Sequence, residues 1–166
     1  MSADAAAVLG AAKAKGVMIA TAESCTGGLI AAALTEVAGS SAVVERGFVT
    51  YSNEAKTEML GVTADLIADR GAVSEEVVTA MVAGALAKSR ATLAVAVTGI
   101  AGPGGGSEAK PVGLVFVAAG LAGGEMAVQK CRFDEEGITD RSGIRKRTVE
   151  VALAMLLDQL TAAPSP

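Results

Sequence analysis

Residues 92–98 read Thr-Leu-Ala-Val-Ala-Val-Thr, a strand-length run whose five central side chains are all apolar. A strand with one wet face alternates polar and apolar residues, so a run of this kind must be covered on both faces. The same character recurs at residues 17–22, a compact apolar run after Gly16. Between such runs lie segments with helical spacing. Residues 4–15 are Ala-rich with Val8 and Leu9; Leu29, Ile30, Ala33, Leu34 and Val37 repeat until Gly39 stops them. Ser52 and Asn53 are good caps for a helix over 54–60, after a strand over 43–51. Ser74 caps a helix striped by Val77, Val78, Met81, Val82, Ala85 and Leu86, with Glu75 and Glu76 suited to its first turn.

After the run at 92–98 comes a glycine-rich loop over 99–110 and a strand over 112–118. A turn over 120–124 leads to an antiparallel neighbour over 126–133. A last helix spans about 140–160, striped by Ile144, Thr148, Val151 and Met155, and the tail Pro164-Ser165-Pro166 is expected to fray. Strands alternating with helices early and a hairpin late predict a three-layer α/β/α sandwich around a mixed, largely parallel sheet. No linker, repeat or composition shift divides the 166 residues, so one domain is expected over 1–166. With 51% hydrophobic but 2% aromatic residues, the core must be close-packed from small side chains.

The net charge of -4 argues against a nucleic-acid partner. No apolar run reaches the roughly 18 residues of a membrane helix, and the N-terminus lacks a basic-then-apolar signal. Cys25 and Cys131 make no disulfide framework, so a reduced, cytoplasmic protein is expected. An Ala-rich helical surface with Val and Leu stripes points to a homo-oligomer without counting its subunits.

The chain contains no histidine. Ser-His-Asp triads, Cys-His dyads and histidine zinc sites are therefore closed to it, and a general base must be Lys, Tyr, Asp, Glu, Cys or the N-terminal amine. Neither a metal nor a cofactor is expected.

Open α/β sheets bind ligands at the carboxyl ends of their strands, where three unusual segments fall. Glu23-Ser24-Cys25-Thr26-Gly27-Gly28 is a strand-to-helix turn of small polar residues. A hydroxyl there stands beside the free N–H groups of the next helix, which favour an oxyanion, although Ser24 or Thr26 could equally be a plain helix cap. Cys25 competes as nucleophile, since a helix N-terminus lowers a thiol pKa, but without a histidine partner a buried structural cysteine is the better reading. Glu23 could orient a catalytic group or simply meet the helix dipole.

In Tyr51-Ser52-Asn53-Glu54-Ala55-Lys56, Tyr51 is the only tyrosine. A lysine desolvated in a cleft can be neutral and take a serine proton; on its own, Lys56 is an ordinary solvated helix lysine. Thr98-Gly99-Ile100-Ala101-Gly102-Pro103-Gly104-Gly105-Gly106 lets backbone N–H groups approach a phosphate or flat ring, yet it is neither a Walker loop nor a dinucleotide fingerprint, and a flexible connection would look alike. Finally, Arg141 and Arg145 are four apart and share a helix face where cations oppose the dipole, a cost that an anionic ligand would reverse.

These four segments, with Thr21-Ala22 before the first and Asp140-Arg141-Ser142-Gly143-Ile144-Arg145 as the last, together resemble the CinA C-terminal domain family, in order and essentially end to end. Thr139 stands where that last motif usually has glycine. Larger relatives carry an N-terminal domain similar to molybdopterin-binding proteins, for which the 166 residues are expected to leave no room. The resemblance implies a nicotinamide-nucleotide amidase converting nicotinamide mononucleotide to nicotinate mononucleotide and ammonia in pyridine nucleotide salvage. It makes Ser24 the nucleophile, assisted by Tyr51 and Lys56. Substrate contacts are expected from Glu23, Thr26 and Gly27 beside the nucleophile, from Thr98, Gly99, Gly102 and Gly104 in the glycine loop, and from Arg141 or Arg145. The competing readings are a non-catalytic nucleotide-binding or scaffold member of the family, and a hydrolase of some other small amide.

Overall fold

The computed structural model describes residues 4–162, so the tail Pro164-Ser165-Pro166 lies outside the described residues. The strands are β1 (Ile19–Glu23), β2 (Val44–Val49), β3 (Leu93–Gly99), β4 (Leu114–Leu121) and β5 (Met126–Arg132). The helices are α1 (Ala5–Lys15), α2 (Leu29–Thr35), α3 (Asn53–Leu60), α4 (Ala64–Arg70), α5 (Glu75–Ala87) and α6 (Arg141–Ala162), with a short 3-10 turn at Ser40–Ala42. The five strands form one sheet in the order β2-β1-β3-β4-β5. β1 pairs in parallel with β2 and β3, while β4 runs antiparallel to both β3 and β5. The sheet is thus mixed, with its parallel half carrying the first three strands.

The apolar run of β3 is covered on both faces, as its sequence requires. Leu93, Val95 and Val97 belong to a cluster with Val8 and Leu9 of α1, Ile30 and Leu34 of α2, and Ile144, Leu156 and Leu160 of α6. Ala94 and Ala96 belong to the other, with Leu60 of α3, Ile67 of α4 and Val77, Met81 and Val82 of α5. Ala20, Ala22 and Ala118 extend this alanine face across the sheet. Small side chains let α5 lie close to the strands, which is how a core without large aromatic anchors stays dense.

Helix starts follow the side-chain signals. Ser52 Oγ accepts from Ala55 N at 3.0 Å, Ser74 Oγ from Val77 N at 3.3 Å, and Asp4 Oδ1 from Ala7 N at 2.7 Å. The strand expected over 43–51 is shorter, Val44–Val49, which leaves Tyr51 beyond its end, and two further differences have a reason in the packing. Helix α4, capped by Thr63 Oγ1, was not anticipated, since seven residues over 64–70 carry only one buried side chain, Ile67. Strand β4 continues through Gly120, placed in the turn from sequence, because Gly120 faces Met126 and a Cβ there would stand 2.8 Å from Met126 Cγ. Among the described residues, no helix is long and apolar enough to cross a membrane.

Gly84 fixes how closely α5 approaches α3. A Cβ built at this helical glycine would overlap the Leu60 carbonyl oxygen and lie 2.8 Å from Leu60 Cβ. Alanine would gain roughly 1 kcal/mol in helix propensity over glycine. Overpacking against backbone costs about 3 kcal/mol, at the upper end of its usual range, so the clash wins. Gly84→Ala is expected to lower the melting temperature by roughly 4–8 °C, for a net loss of about 2 kcal/mol. Calorimetry giving an unchanged or higher midpoint would contradict this packing.

Candidate active site

The parallel register of β1 with β2 decides where the chemistry gathers. Glu23 ends β1 opposite Val49 of β2, so Ser24 and Thr50 leave the sheet side by side. The Thr50 amide then donates to the Glu23 carbonyl at 2.8 Å, and Ser24 N donates to Val97 O of β3 at 3.2 Å. From Thr50 the chain turns at once into α3, which brings Lys56 back over the strand ends. Lys56 Nζ lies 3.0 Å from Ser24 Oγ and 3.0 Å from the Thr50 carbonyl oxygen.

Lys56 is 2% exposed, among the most buried large side chains of the protein. Burial lowers its pKa below the usual lysine value, with the neighbouring Cys25 opposing weakly. Among the described residues no carboxylate bonds its Nζ; its two oxygen partners are a hydroxyl and a carbonyl. A neutral amine suits both, donating to the Thr50 carbonyl and accepting the Ser24 proton.

Cys25 is nearly buried, and desolvation is the main cause that pushes its thiol up to about 11. At neutral pH it is the thiol, a poor nucleophile. Between the two neighbours of the turn, the arrangement favours Ser24.

Glu23, expected as a substrate contact, is instead fully buried inside the turn. Its Oε1 accepts from Thr26 Oγ1 at 2.7 Å and Ile30 N at 2.8 Å, and its Oε2 from Ala31 N at 3.0 Å and Thr21 Oγ1 at 3.4 Å. The carboxylate therefore takes the N–H groups at the start of α2. This corrects the expectation that those groups are free for an oxyanion. Thr26, fully buried and donating to Glu23, belongs to the same internal scaffold, and neither it nor Gly27 lines the cavity described next.

A cavity of about 290 Å³ opens at Ser24 and Lys56. Cys25, Tyr51, Asn53, Ala72 and Val73 line it together with Thr98, Gly99, Gly102, Gly104 and Arg141. Among the described residues no carboxylate lines it, whereas two basic side chains, Lys56 and Arg141, do, in a chain of net charge -4. A larger cavity, about 450 Å³, lies between α3 and α4 away from the Ser24–Lys56 pair.

The remaining candidates divide by what they touch. Thr98 Oγ1 donates to Ala72 O at 2.8 Å, tying β3 to the segment before α5 that walls the cavity. Gly99 and Gly102 are small for internal reasons, since a Cβ would meet Val115 Cγ2 and Val112 Cγ1 respectively, both at 2.5 Å. Gly104 is different: a Cβ there would meet nothing within 4 Å. Arg141 donates to Gly102 O at 2.7 Å and to the Tyr51 hydroxyl at 2.9 Å, bracing the cavity rim. Tyr51 is 60% exposed, and its hydroxyl partner is Arg141 rather than Lys56. Arg145 sits on the far side of the nucleophile turn, donating to Cys25 O and Thr26 O, both at 3.1 Å.

Sequence reasoning missed the Thr50 carbonyl, Ala72 and Val73 and took Asn53 for a cap. Only Asn53 carried a signal, its place within the Tyr51–Lys56 motif. Among the described residues there is no group of three His, Cys, Asp or Glu arranged to hold a metal.

Residues 2–160 match the family model of the CinA C-terminal domain. The chain is 51% identical over 147 residues to a nicotinamide-nucleotide amidohydrolase, PncC, of Escherichia coli strain K12, covering 89% of this chain and 87% of that one. It is 56% identical over 143 residues to a CinA-like protein of Mycolicibacterium vanbaalenii, covering 86% of this chain and 33% of that longer one. The crystal structure of competence/damage inducible protein CihA from Agrobacterium tumefaciens superposes with a TM-score of 0.90 at 53% identity, covering 93% of this chain and 92% of that one.

Proposed function

From the premise that this chain belongs to the CinA C-terminal domain family, we propose that it is a nicotinamide-nucleotide amidohydrolase, converting nicotinamide mononucleotide to nicotinate mononucleotide and ammonia. The observation that carries the reading is the 3.0 Å contact between Ser24 Oγ and the buried Lys56 Nζ, at the floor of a cavity with no acidic wall.

The steps follow from that contact. Neutral Lys56 takes the Ser24 proton as Oγ bonds to the carboxamide carbon, and the carbonyl π electrons move to oxygen. With the N–H groups of Ile30 and Ala31 held by Glu23, the amide of Cys25, the residue of the turn that lines the cavity beside Ser24, is the donor for that oxyanion. The carbon–nitrogen bond then breaks, and the leaving amine takes the proton from Lys56 to depart as ammonia. Water adds to the resulting ester with Lys56 again as base, and expulsion of Ser24 Oγ, reprotonated by Lys56, frees the acid.

The substrate's phosphate is assigned to Arg141, whose guanidinium lines the cavity, bonds only uncharged oxygens and has no ion-pair partner among the described residues. Tyr51 orients that guanidinium, and the open space at Gly104 lets the loop backbone approach the ligand. Holding the phosphate places the carboxamide at Ser24 and lowers the entropic cost of reaction.

Ammonia release from nicotinamide mononucleotide tests the reading, and its absence would leave the two competing ones, a non-catalytic nucleotide-binding or scaffold protein and a hydrolase of some other small amide. The riboside, with the same carboxamide but no phosphate, tests the anchor. Arg141→Ala should cost about 1.5–3 kcal/mol of charge-assisted hydrogen bonding with the mononucleotide. That is a roughly tenfold to hundredfold fall in kcat/KM. The riboside should be nearly indifferent to the same change. Equal losses on both substrates would remove the phosphate role from Arg141.

A further inference from the structure

On the functional reading above, we propose that Arg145 is a positioning residue, which shapes the nucleophile turn for the developing oxyanion by holding two successive carbonyls of that turn away from the cavity. Arg141 and Arg145 share a face of α6, yet only Arg141 lines the cavity. The Arg145 guanidinium spends Nε on Cys25 O and Nη2 on Thr26 O, each at 3.1 Å, and lies over Gly27, where a Cβ would stand 3.6 Å from Nη2. It has no carboxylate partner among the described residues.

The consequence is geometric. In a trans peptide the C=O and the following N–H point in opposite directions, and the Cys25–Thr26 bond is trans, as the one cis peptide of the described chain is Gly102-Pro103. Arg145 does not line the cavity, so drawing the Cys25 carbonyl toward it keeps that oxygen off the face of Cys25 that does. The rest of the turn is pinned from elsewhere: Gly27 N donates to Ser24 O at 3.0 Å, Ser24 N to Val97 O, and the Glu23 carboxylate holds Thr26 and the start of α2 from within. The Thr26 carbonyl also accepts from Leu29 N at 3.2 Å, so the Cys25 carbonyl is the one that depends on Arg145. Without Arg145 that carbonyl is free to rotate toward the space a negatively charged oxygen must occupy, and the guanidinium's positive charge is lost from the back of the turn.

A shaping role acts on the transition state more than on the bound substrate. Arg145→Ala is expected to lower kcat on nicotinamide mononucleotide by about tenfold to hundredfold, less than or equal to the loss of a whole oxyanion donor, with KM changed by less than about twofold. Arg145→Lys should fall between the two, because one ammonium cannot span both carbonyls in the fork geometry of a guanidinium. Methylguanidinium in the buffer should restore part of the kcat of Arg145→Ala.

Pyridine-3-boronic acid gives a readout independent of the phosphate and of turnover. It becomes tetrahedral and anionic when the serine oxygen adds to boron, so its affinity reports the oxyanion environment. Arg145→Ala should weaken it by the same factor as kcat, with melting temperatures recorded for the variant and the wild type. Failure of the wild-type protein to release ammonia would sink the functional reading while the boronate still tests Arg145. Unchanged boronate affinity in Arg145→Ala, or a loss confined to KM for the mononucleotide, would overturn the positioning role.

Discussion

Ser24→Ala is expected to abolish ammonia release from nicotinamide mononucleotide, lowering kcat by about 10⁴-fold or more, while Cys25→Ala retains at least about a third of wild-type turnover. The scale follows from removing the nucleophile itself: no other group stands to form the covalent intermediate, and what remains is binding and orientation. Substrate affinity should change little, since the lost hydroxyl contacts Lys56 in the free protein. The Cys25 thiol, raised to about 11 by burial, is protonated across the neutral range. An active Ser24→Ala beside a dead Cys25→Ala would reverse the assignment.

Lys56→Met should be the next most damaging change, costing about 10²–10⁴ in kcat, the usual range for a positioned general base. Methionine fills much the same buried volume, so folding should survive better than with a smaller residue. The wild-type pH profile carries the same prediction. The working form is the neutral amine, present above the Lys56 pKa, and burial holds that pKa below the usual lysine value. Activity should therefore fall as pH drops through that pKa and reach a plateau above it. A fully active Lys56→Met, or kcat/KM flat through the acidic range, would remove Lys56 as the base.

The features legible in the sequence are those set by nearby residues. The apolar run of β3 demanded two covering layers, and Ser52 and Ser74 announced helix starts through bonds three residues long. Pairing Ser24 with Lys56 is another matter. They are 32 residues apart, and their contact exists because β1 and β2 run parallel with Glu23 opposite Val49. A short strand and an immediate helix then fold Lys56 back, and family motifs flagged the residues without supplying this geometry.

For Glu23 the sequence left a substrate or orienting role and a plain contact with the helix dipole both open, because its partners Ile30 and Ala31 lie seven and eight residues on, past a turn whose path the sequence does not state. The Thr50 carbonyl, being backbone, leaves no residue-type signature at all. Arg141 and Arg145 looked equivalent because residues four apart share a helix face. One helical turn is about 5.4 Å of rise, enough to send one guanidinium to the Tyr51 hydroxyl and the other to the Cys25 carbonyl.

The central claim is that Ser24 bonds covalently to the substrate's acyl carbon. Acid-quenching the wild-type enzyme within its first turnover on nicotinamide mononucleotide, followed by intact-mass measurement and peptide mapping, tests it most directly. The account predicts a nicotinoyl-mononucleotide ester, the substrate less ammonia, confined to the peptide bearing Ser24 and absent from Ser24→Ala. The same acyl group mapped to Cys25, or persisting on the Ser24→Ala protein, would contradict it.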